Sequence, residues 1–191
     1  SFQKQAKLAG CAVALVPTTH QGHAFEIAQD IVARYKQPLL ISVSGDGGYN
    51  ELINGIMKTS ERIAKKPVVA IIAAGNANDH KRTTRGDTPL LKLIQQGTPR
   101  PLDLLHISAG ELSRYAHSYI GFGITPEVGV ELNKHDLSPL VEIKLVLKTF
   151  MKFSPFAIKR GGNVQRYSNL LFANVGSMSK VLTLDPDASD I

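Results

Sequence analysis

Ser44-Gly45-Asp46-Gly47-Gly48-Tyr49-Asn50-Glu51 stands between the apolar run Leu39 to Val43 and a segment with helical spacing, so three glycines enclose one carboxylate where a strand gives way to a helix. Glycine lets a backbone come close to an anion and take turn conformations that a Cβ closes. The free N–H groups at a helix start favour negative charge. Both features point to a phosphate site. Asp46 cannot itself attract phosphate, so its expected task is to hold Mg²⁺ or to accept a proton, and the pattern points to phosphoryl transfer rather than nucleotide storage.

Outward from this stretch, the first hundred residues alternate strand-like and helix-like patterns. Ala12 to Val16 reads as a short strand ended by Pro17, Ala24 to Tyr35 as a helix with Phe25, Ile27, Ala28, Ile31 and Val32 largely on one face, and Leu39 to Val43 as a buried strand. Asn50 to Met57 carries Leu52, Ile53, Ile56 and Met57 at helical spacing, Val68 to Ile72 is a third strand, and Leu90 to Ile94 is a short helix stopped by Gly97. Such alternation predicts an α/β domain with a parallel sheet. Ligands of these sheets sit beyond the carboxyl ends of the strands, where the loops Pro17–Gly22, Ser44–Asn50 and Ala73–Asp79 are expected.

Composition changes after Pro99-Arg100-Pro101. Asp103 to Ile107, Ser118 to Phe122 and Leu170 to Val175 read as strands without regular helices between them, which predicts a β-rich region over 101–191 after an α/β domain over 1–100. Leu137 to Phe153 fits both periods: Val141 to Leu145 alternates like a strand, while Leu140, Ile143, Leu147, Phe150 and Met151 fit a helix, and the length of the run favours helix. The chain begins without Met inside the helix-like segment Phe2 to Ala9 and stops at Asp185 to Ile191 with no closing element, the signature expected of a fragment.

With 191 residues, 43% hydrophobic and 20% charged, the composition is that of a soluble globular chain. The single cysteine, Cys11, excludes an internal disulfide and fits a reducing compartment. No apolar run reaches the roughly 20 residues of a membrane span, and no signal-peptide pattern opens the chain. A cytoplasmic protein, peripheral at most to a membrane, is expected. The formal charge of +6 lies in the first half, where 13 Lys and Arg face 7 Asp and Glu, against 9 and 9 in the second. Such a half suits nucleotide phosphates, anionic headgroups or a merely soluble surface. Aromatics are only 6% and do not interleave with a basic stripe, so no nucleic acid partner is expected.

Asp46, Asp79 and Asp103 follow strand-like runs or start one, and clustered together they could bind Mg²⁺ directly or through water. The competing reading makes Asp79 a helix cap and Asp103 a turn residue. His20 and His23 have no acidic or cysteine partner at zinc-ligand spacing. Ser177-Met178-Ser179-Lys180 matches Ser-x-x-Lys without its companion motifs. Neither the Walker phosphate loop nor Gly-x-Gly-x-x-Gly is present.

Gly45 to Gly55, followed about twenty residues later by Gly75-Asn76-Ala77-Asn78-Asp79, resembles the catalytic domain of the diacylglycerol kinase and sphingosine kinase lipid-kinase family. Its Gly-Asp-Gly-x-x-Asn-Glu-x-x-Asn-Gly signature is matched throughout, and Thr18-Thr19-His20-Gln21-Gly22-His23-Ala24 resembles an upstream family segment. The resemblance implies a nucleotide-binding α/β domain followed by a β-sandwich, here incomplete, with ATP and lipid meeting between them. It implies nucleotide contacts at Thr18, at Ser44, Gly45, Asp46, Gly47, Gly48, Tyr49, Asn50 and Glu51, and at Asn76. It implies Asp46, Asp79 and Asp103 as catalytic, with Mg²⁺ held by Asp46 through water. Gly48 stands where many relatives have Thr, and Ser44 replaces a leading Gly as in sphingosine-kinase-like members. The family's first strand and its later acidic strands are missing from this chain, so the fragment is expected to be weak or inactive alone. The expected function is ATP-dependent phosphorylation of a diacylglycerol- or sphingoid-type lipid hydroxyl. NAD kinase, which has a related fold, and a non-catalytic nucleotide- or lipid-binding module are the alternatives. The apolar, Lys-punctuated stretch Leu137 to Phe156 is the expected lipid contact, or else a core element with snorkelling lysines.

Overall fold

The computed structural model describes residues 2–59, 66–75, 78–97, 99–123, 154–178 and 182–183. In chain order the first elements are Phe2–Leu8 (α1), His23–Arg34 (α2), Leu39–Ser44 (β1), Asp46–Thr59 (α3), Val68–Ala73 (β2), Asp79–Thr84 (α4) and Leu90–Gln96 (α5). The runs of Leu, Ile and Val at β1 and β2 suit a pleated, half-buried surface, and they pair in parallel from Leu39↔Val68 to Ser44↔Ala73. A parallel pair needs a crossover rather than a hairpin. The helix of that crossover is α3.

The core follows from the helical spacing of its apolar residues. Leu52, Ile53 and Ile56 of α3 and Ala28 and Val32 of α2, four apart, close on Leu40 of β1 and Ile71 of β2, with Tyr49 buried in the same cluster. Each fully buried aliphatic side chain contributes roughly 1.5–3 kcal/mol, so Ile53→Ala is the kind of change that costs about 2–5 kcal/mol. The two helices meet at Gly55, where a Cβ would run into the Phe25 carbonyl and lie 2.9 Å from the Ala28 Cβ. This glycine sets the crossing distance. Helix α5 ends as its sequence predicts, with Gly97 left-handed at φ 67°.

The remaining strands form antiparallel pairs: Leu105–Ala109 (β3) with Leu112–Ala116 (β4), Tyr119–Gly123 (β5) with Asn169–Ala173 (β8), Phe156–Arg160 (β6) with Asn163–Tyr167 (β7), and Ser177–Met178 (β9) with Leu182–Thr183 (β10). The described residues belong to two units, one drawn from Ser1–Ser118 and Asn174–Ile191 and one from Tyr119–Ala173. The mixed α/β class with a small parallel sheet agrees with the alternation in the sequence.

Two expectations are corrected. Residues 11–19 have no regular structure, so Ala12 to Val16 is not a strand; Leu15 and Val16 are exposed. A short β-branched run becomes a strand only where a ladder accepts it, and among the described residues β1 pairs with β2 alone. Nor is Ser44–Asn50 an open loop: only Gly45 separates β1 from α3, and Gly47 and Gly48 lie in the first helical turn. None of these three glycines has positive φ. Leu137 to Phe153, Asn76 and Asp185 to Ile191 lie outside the described residues. Among the described residues no helix is long and apolar enough to cross a membrane.

Candidate active site

The register of the parallel pair puts the ends of β1 and β2 side by side, and the Ala74 N–H donates to the Ser44 carbonyl at 3.0 Å, extending the ladder past both strands. The chains then touch at two glycines. A Cβ on Gly75 would lie 2.5 Å from the Gly45 Cα, and one on Gly45 3.1 Å from the Gly75 Cα. Close approach of two backbones, not an unusual dihedral, is what requires glycine here. Beyond Gly75, Asn78 is left-handed at φ 52°, a region Asn tolerates. Its side chain accepts from the Gly75 N–H at 3.1 Å and donates back to the Gly75 carbonyl, closing a turn.

Asp46 opens α3, and its carboxylate reaches across to the start of α4. Oδ2 accepts the Asp79 N–H at 3.1 Å and Oδ1 the His80 N–H at 3.2 Å. These are helix-start donors that would otherwise lack a partner, and they favour a negative group. Asp79 is buried at 1% exposure and pairs through Oδ1 with Arg82 at 2.7 Å. The structure thus joins Asp46 and Asp79. Asp103 is exposed ahead of β3, and its main-chain carbonyl accepts from Asn174 at 2.6 Å.

The rest of the Gly-rich stretch knits the unit together. Ser44 donates its hydroxyl to the Gly45 carbonyl at 2.9 Å and lies 2.6 Å from the Ser42 hydroxyl. Its Cβ and Oγ would be 2.8 and 2.9 Å from a Cβ on Gly48, so Ser44 occupies the space a side chain at 48 would need. Glu51 accepts the Gly22 N–H at 3.1 Å and so ties the loop before α2 to α3. In that loop Thr18 is exposed, and Thr19 bonds to His23 Nδ1 at 3.1 Å. Asn54 accepts the Tyr115 N–H at 2.9 Å and donates to the Tyr115 carbonyl at 2.8 Å, clamping β4 to the helix. Asn50 has its side-chain oxygen buried with no hydrogen-bond partner among the described residues.

Under the turn lie three rings. Tyr49 packs 4.7 Å from His80 and 4.9 Å from His117, and the two imidazoles are 4.8 Å apart, edge to face. His117 Nε2 is 3.2 Å from the Asp46 carbonyl. Burial pushes His80 down to about 4, helped by His117 and opposed by Asp46, and burial also lowers His117. Burial raises the Tyr49 phenol. Both imidazoles are therefore neutral at pH 7. Neither imidazole is marked as a site residue by a motif in the sequence. His80 adjoins Asp79 and could have been noticed; His117 has no motif around it and is brought in by the β3–β4 hairpin.

A nucleotide phosphate and a hydrated divalent cation fit these residues. Gly47 is exposed in the first turn of α3, and a Cβ there would meet nothing within 4 Å, so the space beside this residue is open. A carboxylate offers about four lone-pair sites; two of those on Asp46 accept N–H groups, and the others can accept from metal-bound water. A direct cage is a different matter: among the described residues no group of three or more His, Cys, Asp or Glu stands ready to hold a metal.

Residues 1–107 match the diacylglycerol kinase catalytic domain family. Over 81 residues, 42% of this chain, the sequence is 33% identical to sphingoid long-chain bases kinase 1 of Arabidopsis thaliana. The match spans 11% of that relative's length.

Proposed function

Because the chain belongs to the diacylglycerol kinase catalytic domain family, we propose that the protein transfers the γ-phosphoryl group of ATP to a hydroxyl of a diacylglycerol- or sphingoid-type lipid. The observation that carries the reading is Asp46, a carboxylate fixed by two backbone N–H groups beside an open, exposed Gly47 at a helix start. The sphingoid-base relative favours a long-chain amino alcohol among the acceptors. Such lipids present a primary hydroxyl at the end of an apolar chain. Leu137 to Phe156, apolar and punctuated by lysines, is the proposed lipid contact, within a region from residue 101 that we read as the start of a β-sandwich.

In this reading the N–H groups at the start of α3, with Ser44, Gly45, Gly47 and Gly48 around them, receive the nucleotide phosphates, and Thr18 and Asn76 add contacts from neighbouring loops. Asp46 holds cation-bound water in place, or takes the proton from the lipid hydroxyl as general base, a role worth typically ~10²–10⁴-fold. Asp79, paired with Arg82 and bonded through its N–H to Asp46, fixes the attitude of that carboxylate. Tyr49 and Glu51 serve from behind, one in the core and one holding the Gly22 loop. Asp103, exposed ahead of β3 and not grouped with Asp46 and Asp79 as a metal cage among the described residues, is the proposed third acidic residue. Bound Mg²⁺ would offset negative charge on the transferred group.

The test is transfer of radiolabel from [γ-³²P]ATP by the full-length protein to a panel of diacylglycerols, sphingoid bases, ceramides and NAD. Label in a lipid product, lost in Asp46→Asn at a temperature where that variant remains folded, is the expected result. Label in NAD alone, or tight ATP binding with no transfer to any acceptor, would overturn the proposal.

A further inference from the structure

Asp46 is held at both ends. Its carboxylate takes the Asp79 and His80 N–H groups, and its main-chain carbonyl faces His117 Nε2 at 3.2 Å. A carbonyl can only accept, so Nε2 must carry the proton. The other ring nitrogen, Nδ1, is buried with no hydrogen-bond partner among the described residues, and so is Nδ1 of His80. A buried polar atom without a partner costs about 1–3 kcal/mol. A phenyl ring would keep the edge contacts to Tyr49 and His80 without that cost, and His117 is only 1% exposed, so no solvent contact accounts for an imidazole there. The polar bond described for its side chain goes to the Asp46 main chain.

We propose that His117 is a positioning residue for Asp46: its ring N–H pins the main chain of the first residue of α3 while the start of α4 pins the carboxylate. The proposal rests on the kinase reading above for its effect on turnover, and on the structure alone for its effect on the Asp46 seat. Unpinned, the carboxylate shifts relative to the open space over Gly47, and a misplacement on the scale of 1 Å costs up to about 10²-fold in rate.

Two variants of the full-length protein separate the bond from the packing. His117→Phe keeps a ring and removes the N–H; His117→Gln keeps an N–H at similar reach. Lipid phosphorylation gives kcat and KM for ATP, and hydrogen exchange at the Asp79 and His80 amides reports the carboxylate seat with neither ATP nor lipid present. For His117→Phe the expected results are kcat lower by about 10- to 100-fold with KM for ATP unchanged, and exchange at both amides faster by up to about tenfold, the scale of losing one neutral hydrogen bond. His117→Gln should restore most of both. Exchange and kcat both at the wild-type level in His117→Phe would overturn the proposal, whatever the melting temperature does. Fast exchange beside normal turnover would overturn it too. If the wild-type protein phosphorylates no acceptor, the kinase reading fails while the exchange arm still decides whether His117 holds Asp46.

Discussion

Replacing Asp46 by Asn removes a charge and changes little in shape, yet the structure predicts a variant that is less stable as well as less active. Both carboxylate oxygens of Asp46 accept backbone N–H groups, from Asp79 at 3.1 Å and from His80 at 3.2 Å. An amide has one oxygen for these two donors, and its NH₂ must face the second N–H. One bond is therefore lost and the other loses its charge. A hydrogen bond to a charged group is worth about 1.5–3 kcal/mol, and a negative charge at a helix start adds roughly 0.3–1 kcal/mol. Together they predict a loss of about 2–4 kcal/mol, seen as a lower urea midpoint with an unchanged slope in far-UV circular dichroism. Asp46→Ala leaves both N–H groups unpaired and should be no more stable than Asp46→Asn. A variant Asp46→Asn within about 0.5 kcal/mol of wild type, the range of an ordinary surface substitution, would refute the claim that the carboxylate is seated on α4.

Other consequences can be measured separately. Gly48→Ala should destabilise the protein in the presence of Ser44, whose Cβ would be 2.8 Å away, and should cost less or even stabilise in a Ser44→Gly background; the coupling in the double-mutant cycle is expected at about 1–3 kcal/mol, the usual scale of overpacking. Asn54→Ala opens the two-bond clamp on Tyr115 and should cost about 1–3 kcal/mol by urea melts, with the β3–β4 amides exchanging faster than those of β1 and β2. Stability should also fall on acidification: His80 titrates near 6.5 when unfolded and at about 4 when folded, so the unfolded state binds the extra proton between these values. The sign follows from that excess. Full stability is present above pH 6.5 and about 3 kcal/mol is lost by pH 4, and His80→Phe should flatten that slope in melts taken from pH 7 to 4.

Much of the α/β unit is legible in the sequence because its elements are strongly periodic. Ile27, Ala28, Ile31 and Val32 trace the buried side of α2, and the short apolar runs at 39–43 and 68–72 are strands, though not the fully buried strand expected at 39–43: Leu40 and Ile71 are buried while Leu39 and Val43 are exposed. Gly97 marks the end of α5 as a left-handed cap. Pattern fails where pairing decides. Ala12 to Val16 has strand composition and finds no ladder, and a Gly-rich stretch that reads as a loop is helical from Asp46, with Gly48 set by its closeness to Ser44 and Gly45 by its closeness to Gly75. The site shows the same division. Asp46 stands out in the sequence by its flanking glycines, but its partners are backbone N–H groups 33 and 34 residues away, which no side-chain motif encodes. His117, 71 residues from Asp46, is brought to it by a hairpin alone.

The central claim is that ATP phosphates lie over the start of α3 with the cation at Asp46. The most direct measurement is paramagnetic broadening of backbone amide resonances by ATP with Mn²⁺ in place of Mg²⁺, in the ¹⁵N-labelled full-length protein. The account predicts the strongest broadening at Gly45, Asp46 and Gly47, with Asp79 and His80 next, and its loss in Asp46→Ala. Broadening centred elsewhere, with these amides untouched while ATP and Mn²⁺ are bound, would contradict it.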